Sequence, residues 1–549
     1  MAQMRSKAEG QILDVRNLRI EAVTETGKRV TLVDDVSFTL DAGEVLGLIG
    51  ESGAGKSTIG LSALVYARTG CQIAGGEILF HGRDVRQLDM RGRQNLRGVR
   101  VAYIAQSAAA AFNPAHTLFD QVTEVALQHG VMNRAQARRD AVRLFGELEL
   151  PDPETFGNRY PHQVSGGQLQ RAMAAMAMIA RPDLLVFDEP TTALDVTTQV
   201  EVLASFKKLI REHRTAALYI THDLAVVAQV ADRIMVLRGG KMVEQGPATR
   251  ILQKPEMDYT RMLVAERVAA EQSRFVEGHA EGDRPILEVR NVVAAYRGTI
   301  KVVDDVSIDV QRGDTLAIVG ESGSGKSSLA RVIVGLLPRQ QGNVVFDGVT
   351  LRPRLQDRSK EQLRRIQMIY QMPDVALNPR HTLLDIIGRP IQFYFGKGRG
   401  EVRARVEDLM RQIDLPADYI NRRPHELSGG QKQRVCIARA LAAEPEIIIC
   451  DEVTSALDPL VSDEILRLLR RIQDETGVAY LFITHDLGTV RRVANKVAVM
   501  LKGKIVASGP TEQVFSPPFH PYTGLLLSSV PEMRPDWLDE VLSRRRKAG

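Results

Sequence analysis

The stretch GESGAGKST, Gly50–Thr58, decides how this chain is read. It fits the pattern G-x-x-x-x-G-K-[ST]. Gly50, Gly55, Lys56 and Ser57 hold the fixed places, and Glu51, Ser52, Gly53, Ala54 and Thr58 complete the loop. Glycines let backbone N–H groups curl around phosphate oxygens, the lysine reaches the terminal phosphates, and the hydroxyl holds Mg2+. An apolar strand-like run, EVLGLIG (Glu44–Gly50), precedes the loop, and a following helix would point its positive end at the same anion. A glycine turn between a strand and a helix would look similar if it stood alone. It does not. GESGSGKSS repeats the loop with Gly320, Glu321, Ser322, Gly323, Ser324, Gly325, Lys326, Ser327 and Ser328, after the strand-like DTLAIVG (Asp314–Gly320). Two copies in register point to two nucleotide-binding loops.

The repetition extends past the loop. Lys56 and Lys326, Gln106 and Gln371, Ser165 and Ser428, Asp188 and Asp451, and His222 and His485 follow one another in the same order, with a spacing that drifts by a few residues. A whole domain is therefore duplicated. The first copy is expected over 12–267 and the second over 286–535. Between them, 268–285 is polar, contains Gly278, Gly282 and Pro285, and reads as a linker. With 549 residues, 44% apolar and 25% charged, each half can bury a core of its own. A net charge of +5 is mild for this length and does not call for nucleic acid. Cys71, Cys436 and Cys450 lie at no metal-ligand or redox spacing and read as small packed residues. The longest apolar run, Ala172–Phe187, is broken by Arg181, Pro182 and Asp183, well short of the roughly 20 residues that a bilayer span requires. No signal sequence is evident, so the chain is expected to be soluble or to dock on a membrane through partners. The C-terminal SRRRKAG reads as a short solvated basic tail.

Within each copy, continuous apolar runs such as DLLVFDE (Asp183–Glu189) and EIIICDE (Glu446–Glu452) suggest strands buried on both faces. The alternating ILDVRNLRI and ILEVRNVVA suggest half-exposed antiparallel strands at the front of each domain. The expected fold class is α/β: two tandem domains, each with a mainly parallel sheet core, an antiparallel β subdomain and a helical subdomain. Asp188–Glu189 and Asp451–Glu452 end buried strands. Alone, such acids are ordinary strand-end caps. Beside a phosphate loop, the aspartate can orient Mg2+ and the glutamate can polarise water. VSGGQLQR (Val164–Arg171) and LSGGQKQR (Leu427–Arg434) open long apolar helices, each with a serine N-cap and two glycines, which forms a second potential anion site in each half.

The order of phosphate loop, Gln106, SGGQ, DEPTTALD and THD, repeated as Gln371, SGGQ, DEVTSALD and THD, resembles that of ATP-binding cassette (ABC) ATPases over nearly the whole chain. What the resemblance implies is specific. ATP would be sandwiched between the phosphate loop of one domain and the SGGQ segment of the other. Lys56 would share ATP with Ser428, Gly429, Gly430 and Gln431, and Lys326 with Ser165, Gly166, Gly167 and Gln168. Glu189 and Glu452 would be catalytic bases, and His222 and His485 the switch histidines at the γ-phosphate. Ser57, Gln106 and Asp188, and Ser327, Gln371 and Asp451, would serve Mg2+. Gln106 and Gln371 would also sense a transmembrane partner, and Asp195 and Asp458 would communicate across the domain pair.

The segments QSAAAAFNPAHTL and QMPDVALNPRHTL, with PPFHPYTGLLLSSVP (Pro517–Pro531), resemble the dipeptide/oligopeptide importer class, which includes nickel, opine and glutathione importers. The first half keeps a worn form of that extension, KPEMDYTRML (Lys254–Leu263), against a fuller one at about 515–535. This resemblance implies two membrane permease subunits, an extracytoplasmic substrate-binding protein, and a peripheral place on the cytoplasmic face of a bacterial inner membrane. Some relatives carry a cysteine-rich iron–sulfur motif near this extension; the cysteines here are elsewhere, so no cluster is expected. A duplicated ATPase acting on ribosomes or DNA, or an exporter ATPase, is the competing reading, and neither accounts for HPYTGLLLSSVP as well. One departure breaks the symmetry. Tyr296 stands where the family places an adenine-stacking aromatic, whereas RIEAVTETG in the first half has Ala22 near that place, so adenine is expected to bind less tightly at the Lys56 site.

Overall fold

The apolar runs that end in glycine or acid become the central strands of two parallel sheets. The computed structural model describes residues 10–23, 27–192, 194–271, 275, 284–455 and 457–548. Two units emerge: one extends to Arg267 and takes in the segment from Pro531 on, and the other is Val268–Val530. Apart from Phe275, positions 272–283 of the expected linker lie outside the described residues, while 268–271 continue the helix Asp258–Glu271.

In the first unit a six-stranded sheet runs Lys241–Pro247, Arg233–Arg238, Val45–Gly50, Ala216–Ile220, Leu184–Asp188, Val101–Ile104, all parallel except the antiparallel edge strand Lys241–Pro247. Both faces are covered, which is why the sequence runs are continuously apolar. Leu185, Phe187, Ala217 and Tyr219 face one core together with the helices. Leu184, Val186, Ala216, Leu218 and Ile220 face the other, beneath the antiparallel sheet. That second sheet has the order Arg29–Asp41, Gln11–Val23, Cys71–Phe80, Arg83–Asp84. The helical part packs Leu118–Gln128, Arg134–Glu147 and Gly166–Met178 around Phe119, Phe145 and Phe156.

The second unit repeats the plan. Its large sheet runs Ile366–Ile369, Ile447–Asp451, Ala479–Ile483, Thr315–Val319, Lys496–Leu501, Lys504–Pro510, and its small sheet runs Ile300–Val310, Leu287–Tyr296, Gln341–Phe346, Val349–Thr350. Ile448, Cys450, Tyr480 and Phe482 face one core, and Ile447, Ile449, Leu481 and Ile483 the other. The α/β reading with an antiparallel β part and a helical part thus describes each unit.

Two features depart from the expected layout. The segment after Pro531 belongs to the first unit although it follows the second in sequence. The basic C-terminal run is the end of the helix Trp537–Ala548, because apolar Trp537, Leu538 and Val541 give that helix a face to bury while Arg544, Arg546 and Lys547 remain exposed. Among the described residues no helix is long and apolar enough to cross a membrane.

Candidate functional site

The carboxyl ends of the parallel strands deliver the chemistry of each unit to one edge of the sheet, the usual ligand side of such sheets. Val45–Gly50 ends at the phosphate loop, Leu184–Asp188 at the two acids, and Ala216–Ile220 just before His222. Gly50 has φ 149°, and a Cβ there would lie 2.1 Å from the Leu237 carbonyl oxygen; Gly320 repeats this with φ 150° and 2.2 Å to the Met500 oxygen. Only glycine lets the loop turn away from its strand so close to the neighbouring backbone.

Inside the loop the lysine is buried and folded back. Lys56 Nζ donates to the carbonyl oxygens of Gly50 (2.7 Å) and Glu51 (2.9 Å), and Lys326 Nζ to those of Gly320 (2.8 Å) and Glu321 (2.7 Å). Ser57 Oγ donates to Asp188 Oδ1 at 2.7 Å, and Ser327 Oγ to Asp451 Oδ1 at 2.9 Å. A hydroxyl, a carboxylate and the amide of Gln106 or Gln371 form a hard-oxygen donor set that fits Mg2+. Burial raises Asp451 above the ordinary carboxylate range, against the Ser327 hydrogen bond that favours its ionised form.

Each glutamate is held from two sides. Gln106 Nε2 donates to Glu189 Oε2 at 3.1 Å, and His222 Nδ1 lies 3.3 Å from Glu189 Oε1. Gln371 Nε2 donates to Glu452 Oε2 at 2.6 Å, and His485 Nδ1 lies 3.5 Å from Glu452 Oε1. Burial alone would raise both glutamates, but the histidine and then the phosphate-loop lysine outweigh it and hold them below their usual range. Burial alone would likewise lower His222 and His485, and their glutamates raise them instead. Glu189 and Glu452 sit in the left-handed region, at φ 48° and 51°, a conformation that side-chain-bearing residues seldom adopt outside constrained sites.

The SGGQ segments begin helices, as their serines foretold. Ser165 Oγ accepts from Gln168 N, and Gln168 Oε1 accepts from Ser165 N; Ser428 and Gln431 do the same. Ser165, Gly166, Ser428 and Gly429 are exposed, while Gly167 and Gly430 lean on the next long helix. A Cβ on Gly167 would come within 2.1 Å of Thr198 Cγ2, and one on Gly430 within 2.4 Å of Val461 Cγ1. Those neighbouring helices are capped by Asp195, which accepts from Thr198 N, and by Asp458, which accepts from Val461 N. Tyr296 ends the strand Leu287–Tyr296 half-buried, and its hydroxyl accepts from Arg331 Nη1 at 2.9 Å.

Residues that sequence reasoning did not single out complete the picture. Tyr103 OH donates to Asp188 Oδ2 at 2.6 Å, and Thr192 Oγ1 donates to Glu189 Oε2 at 3.3 Å. Tyr522 OH accepts from Glu321 N at 3.0 Å, and Tyr259 OH accepts from Glu51 N at 3.3 Å. The tyrosine of HPYT and that of the worn DYT therefore do one job, bracing a phosphate loop. The shared Tyr-Thr pair was the available signal.

The family description "ABC transporter" matches residues 33–192 and 303–455, and "Oligopeptide/dipeptide transporter, C-terminal region" matches 506–548. Among curated proteins the chain is similar to "Glutathione import ATP-binding protein GsiA" of Pectobacterium atrosepticum, 39% identical over 96% of this chain and 90% of that protein. The protein of the same name from Escherichia coli K12 is 37% identical over 96% of this chain and 90% of its own length. Among solved structures, CbiO1 of Clostridium perfringens, part of an ABC transporter complex, is 29% identical over 42% of this chain and 91% of that one, with a TM-score of 0.38.

Proposed function

The chain belongs to the ABC transporter family and is an importer ATPase, and on that premise we propose that its two halves together hydrolyse ATP at two sites to drive uptake of a short peptide-like solute. The observation that carries the reading is the twin arrangement of a half-buried carboxylate, Glu189 or Glu452, between a glutamine and a histidine beside an intact phosphate loop. Lys56 and Lys326 would exchange their carbonyl partners for terminal phosphate oxygens, helped by the loop N–H groups. The glutamates, ionised at neutral pH, would take the proton of the attacking water, while Gln106 and Gln371 orient their oxygens and the histidines reach toward the γ-phosphate. Mg2+, when bound through Ser57, Gln106 and Asp188 or through Ser327, Gln371 and Asp451, supplies charge neutralisation at the phosphates.

Each half has one phosphate loop and one exposed SGGQ helix start, which supports head-to-tail sites: Lys56 with Ser428–Gly430 and Lys326 with Ser165–Gly167. Partners are membrane permease subunits, two by this reading, fed by an extracytoplasmic binding protein; the chain is then peripheral on the cytoplasmic side of a bacterial inner membrane. In the second unit, exposed Met372 and Val375 follow Gln371, and a cavity of about 410 Å3 lined by Tyr370, Pro390 and Phe393 lies close by, which supports a permease helix docking there. The relatives named for glutathione import make glutathione or a di- or oligopeptide the first solute to test.

The purified chain should hydrolyse ATP, and Glu189→Gln with Glu452→Gln should lower turnover at least about a hundredfold, the usual contribution of a general base. Undiminished turnover in the double variant would sink the assignment. In vesicles carrying the permeases, ATP on the chain's side should drive accumulation of labelled glutathione or dipeptide; outward transport would favour an exporter.

A further inference from the structure

The segment from Pro531 on fills a seat in the first unit. Trp537, Leu538 and Val541 are each at most 3% exposed and join the first unit's core with Val200, Leu203, Phe206, Val226 and Val230. Gln229, 2% exposed on the helix Leu224–Val230, fastens the backbone of the same segment. Its Nε2 donates to the carbonyl oxygens of Glu532 (2.7 Å) and Arg534 (2.9 Å), and its Oε1 accepts from Leu538 N (3.1 Å). Lys207 pairs with Asp539 at 3.0 Å, and Arg267 donates to the Pro531 carbonyl at 3.0 Å. This is a built docking surface whose occupant is part of the chain itself.

The duplicated domain keeps part of that apolar surface, Leu466, Leu469 and Val493 standing where the first has Leu203, Phe206 and Val230, but changes its rim to charge. By the offset that relates Asp188 to Asp451 and His222 to His485, Val200 corresponds to Asp463, Ala204 to Arg467 and Gln229 to Arg492. In the second unit Asp463 pairs with both Arg467 and Arg492, so charge stands where the first unit has Val200, Ala204 and the Gln229 amide. An apolar helix face laid there would bury paired charges at a loss. The other end of the extension is anchored in the second unit, where Tyr522 on the helix Pro521–Ser528 braces Glu321 of the phosphate loop.

We propose that Pro531–Ala548 is a strap that fastens the second domain to the first, docking on the groove around Gln229. The helix bearing Gln229 is capped by Asp223, the residue after His222, so the strap packs on the helix that follows the switch histidine of the Lys56 site, a consequence that rests on the reading of that site given above.

The test uses the full chain with a specific protease site inserted between Gly278 and Gly282. After cleavage and without nucleotide, the two fragments should co-elute on size exclusion. Gln229→Arg, which installs the residue the other domain carries, and separately Trp537→Asp, should weaken association at least about tenfold. Trp537 is the chain's single tryptophan, so its emission reports the seat directly: buried in the parent protein, shifted to that of an exposed indole in Gln229→Arg, with the far-ultraviolet spectrum unchanged. Parent fragments that separate, or Gln229→Arg fragments that stay together as tightly as the parent's, would overturn the strap. Neither result depends on ATP turnover, so failure here is distinguishable from failure of the ATPase assignment.

Discussion

The two ATP sites should differ at the adenine, and Tyr296 is where to perturb the difference. The register of the small sheets sets Leu13 opposite Phe80 and Leu287 opposite Phe346, which places Ala22 as far after Leu13 as Tyr296 is after Leu287. A half-buried ring thus stands where the other domain has a methyl group. Stacking of a base on an aromatic side chain is worth about 1–3 kcal/mol, or about 5- to 150-fold in Kd. Arg331 already holds the Tyr296 hydroxyl at 2.9 Å, so little side-chain freedom is lost on stacking. Tyr296→Ala should therefore weaken ATP binding at the second site within that range. Tyr296→Phe keeps the ring and gives up the partly solvated bonds its hydroxyl accepts from Arg331 and, at 3.5 Å, from Ser328 Oγ, costing less than about tenfold. Calorimetric titration in a Lys56→Ala background reads the second site, and in a Lys326→Ala background the first, where Ala22→Tyr should tighten binding. Tripolyphosphate, which has no base, should not distinguish Tyr296→Ala from its parent. Equal ATP affinities in the two lysine variants, with no effect of Tyr296→Ala, would refute the reasoning.

The histidine–glutamate pairs should leave a pH signature in the nucleotide-free protein. His222 and His485 are raised by their glutamates, so their contribution is complete below about pH 6.5 and is lost as pH rises through the raised value; Glu189 and Glu452 are lowered, so theirs is lost only in acid, below about pH 4.5. His222→Gln with His485→Gln should consequently lower the melting temperature more at about pH 6 than at about pH 9, and a gap that stays constant between them would count against the pairs. Tyr522→Phe removes the hydroxyl that accepts from Glu321 N, a loss of about 1 kcal/mol, and should weaken ATP at the second site by about fivefold; Tyr259→Phe, with its longer bond to Glu51 N, should cost the first site less. Unchanged titration curves in both tyrosine variants would show that the phosphate loops need no brace.

Much of the site was legible because its chemistry is local. A phosphate loop needs its glycines, lysine and hydroxyl within a few residues, and strands buried on both faces announce themselves as unbroken apolar runs such as LLVFD and IIICD. What was not legible depends on pairs far apart in sequence. Tyr103 meets Asp188, but its counterpart by the drift of Gln106 to Gln371 is Met368, so the duplication offered no second instance to notice. Gln229 meets Glu532, Arg534 and Leu538 across the whole second domain, and no periodicity within either segment foretells it. The duplication nevertheless shows where to look. The loop lysines, strand-end acids, glutamines and histidines are the same in both halves, while Ala22 against Tyr296 and Gln229 against Arg492 are not. A substitution in the shared set would disable one site outright, whereas a change in its surroundings alters how tightly that site holds adenine or what packs behind its switch. The asymmetry of this chain therefore lies in the residues that surround the two phosphate loops, and the likeness of the Lys56 and Lys326 loops is what two sites of the same proposed chemistry would require.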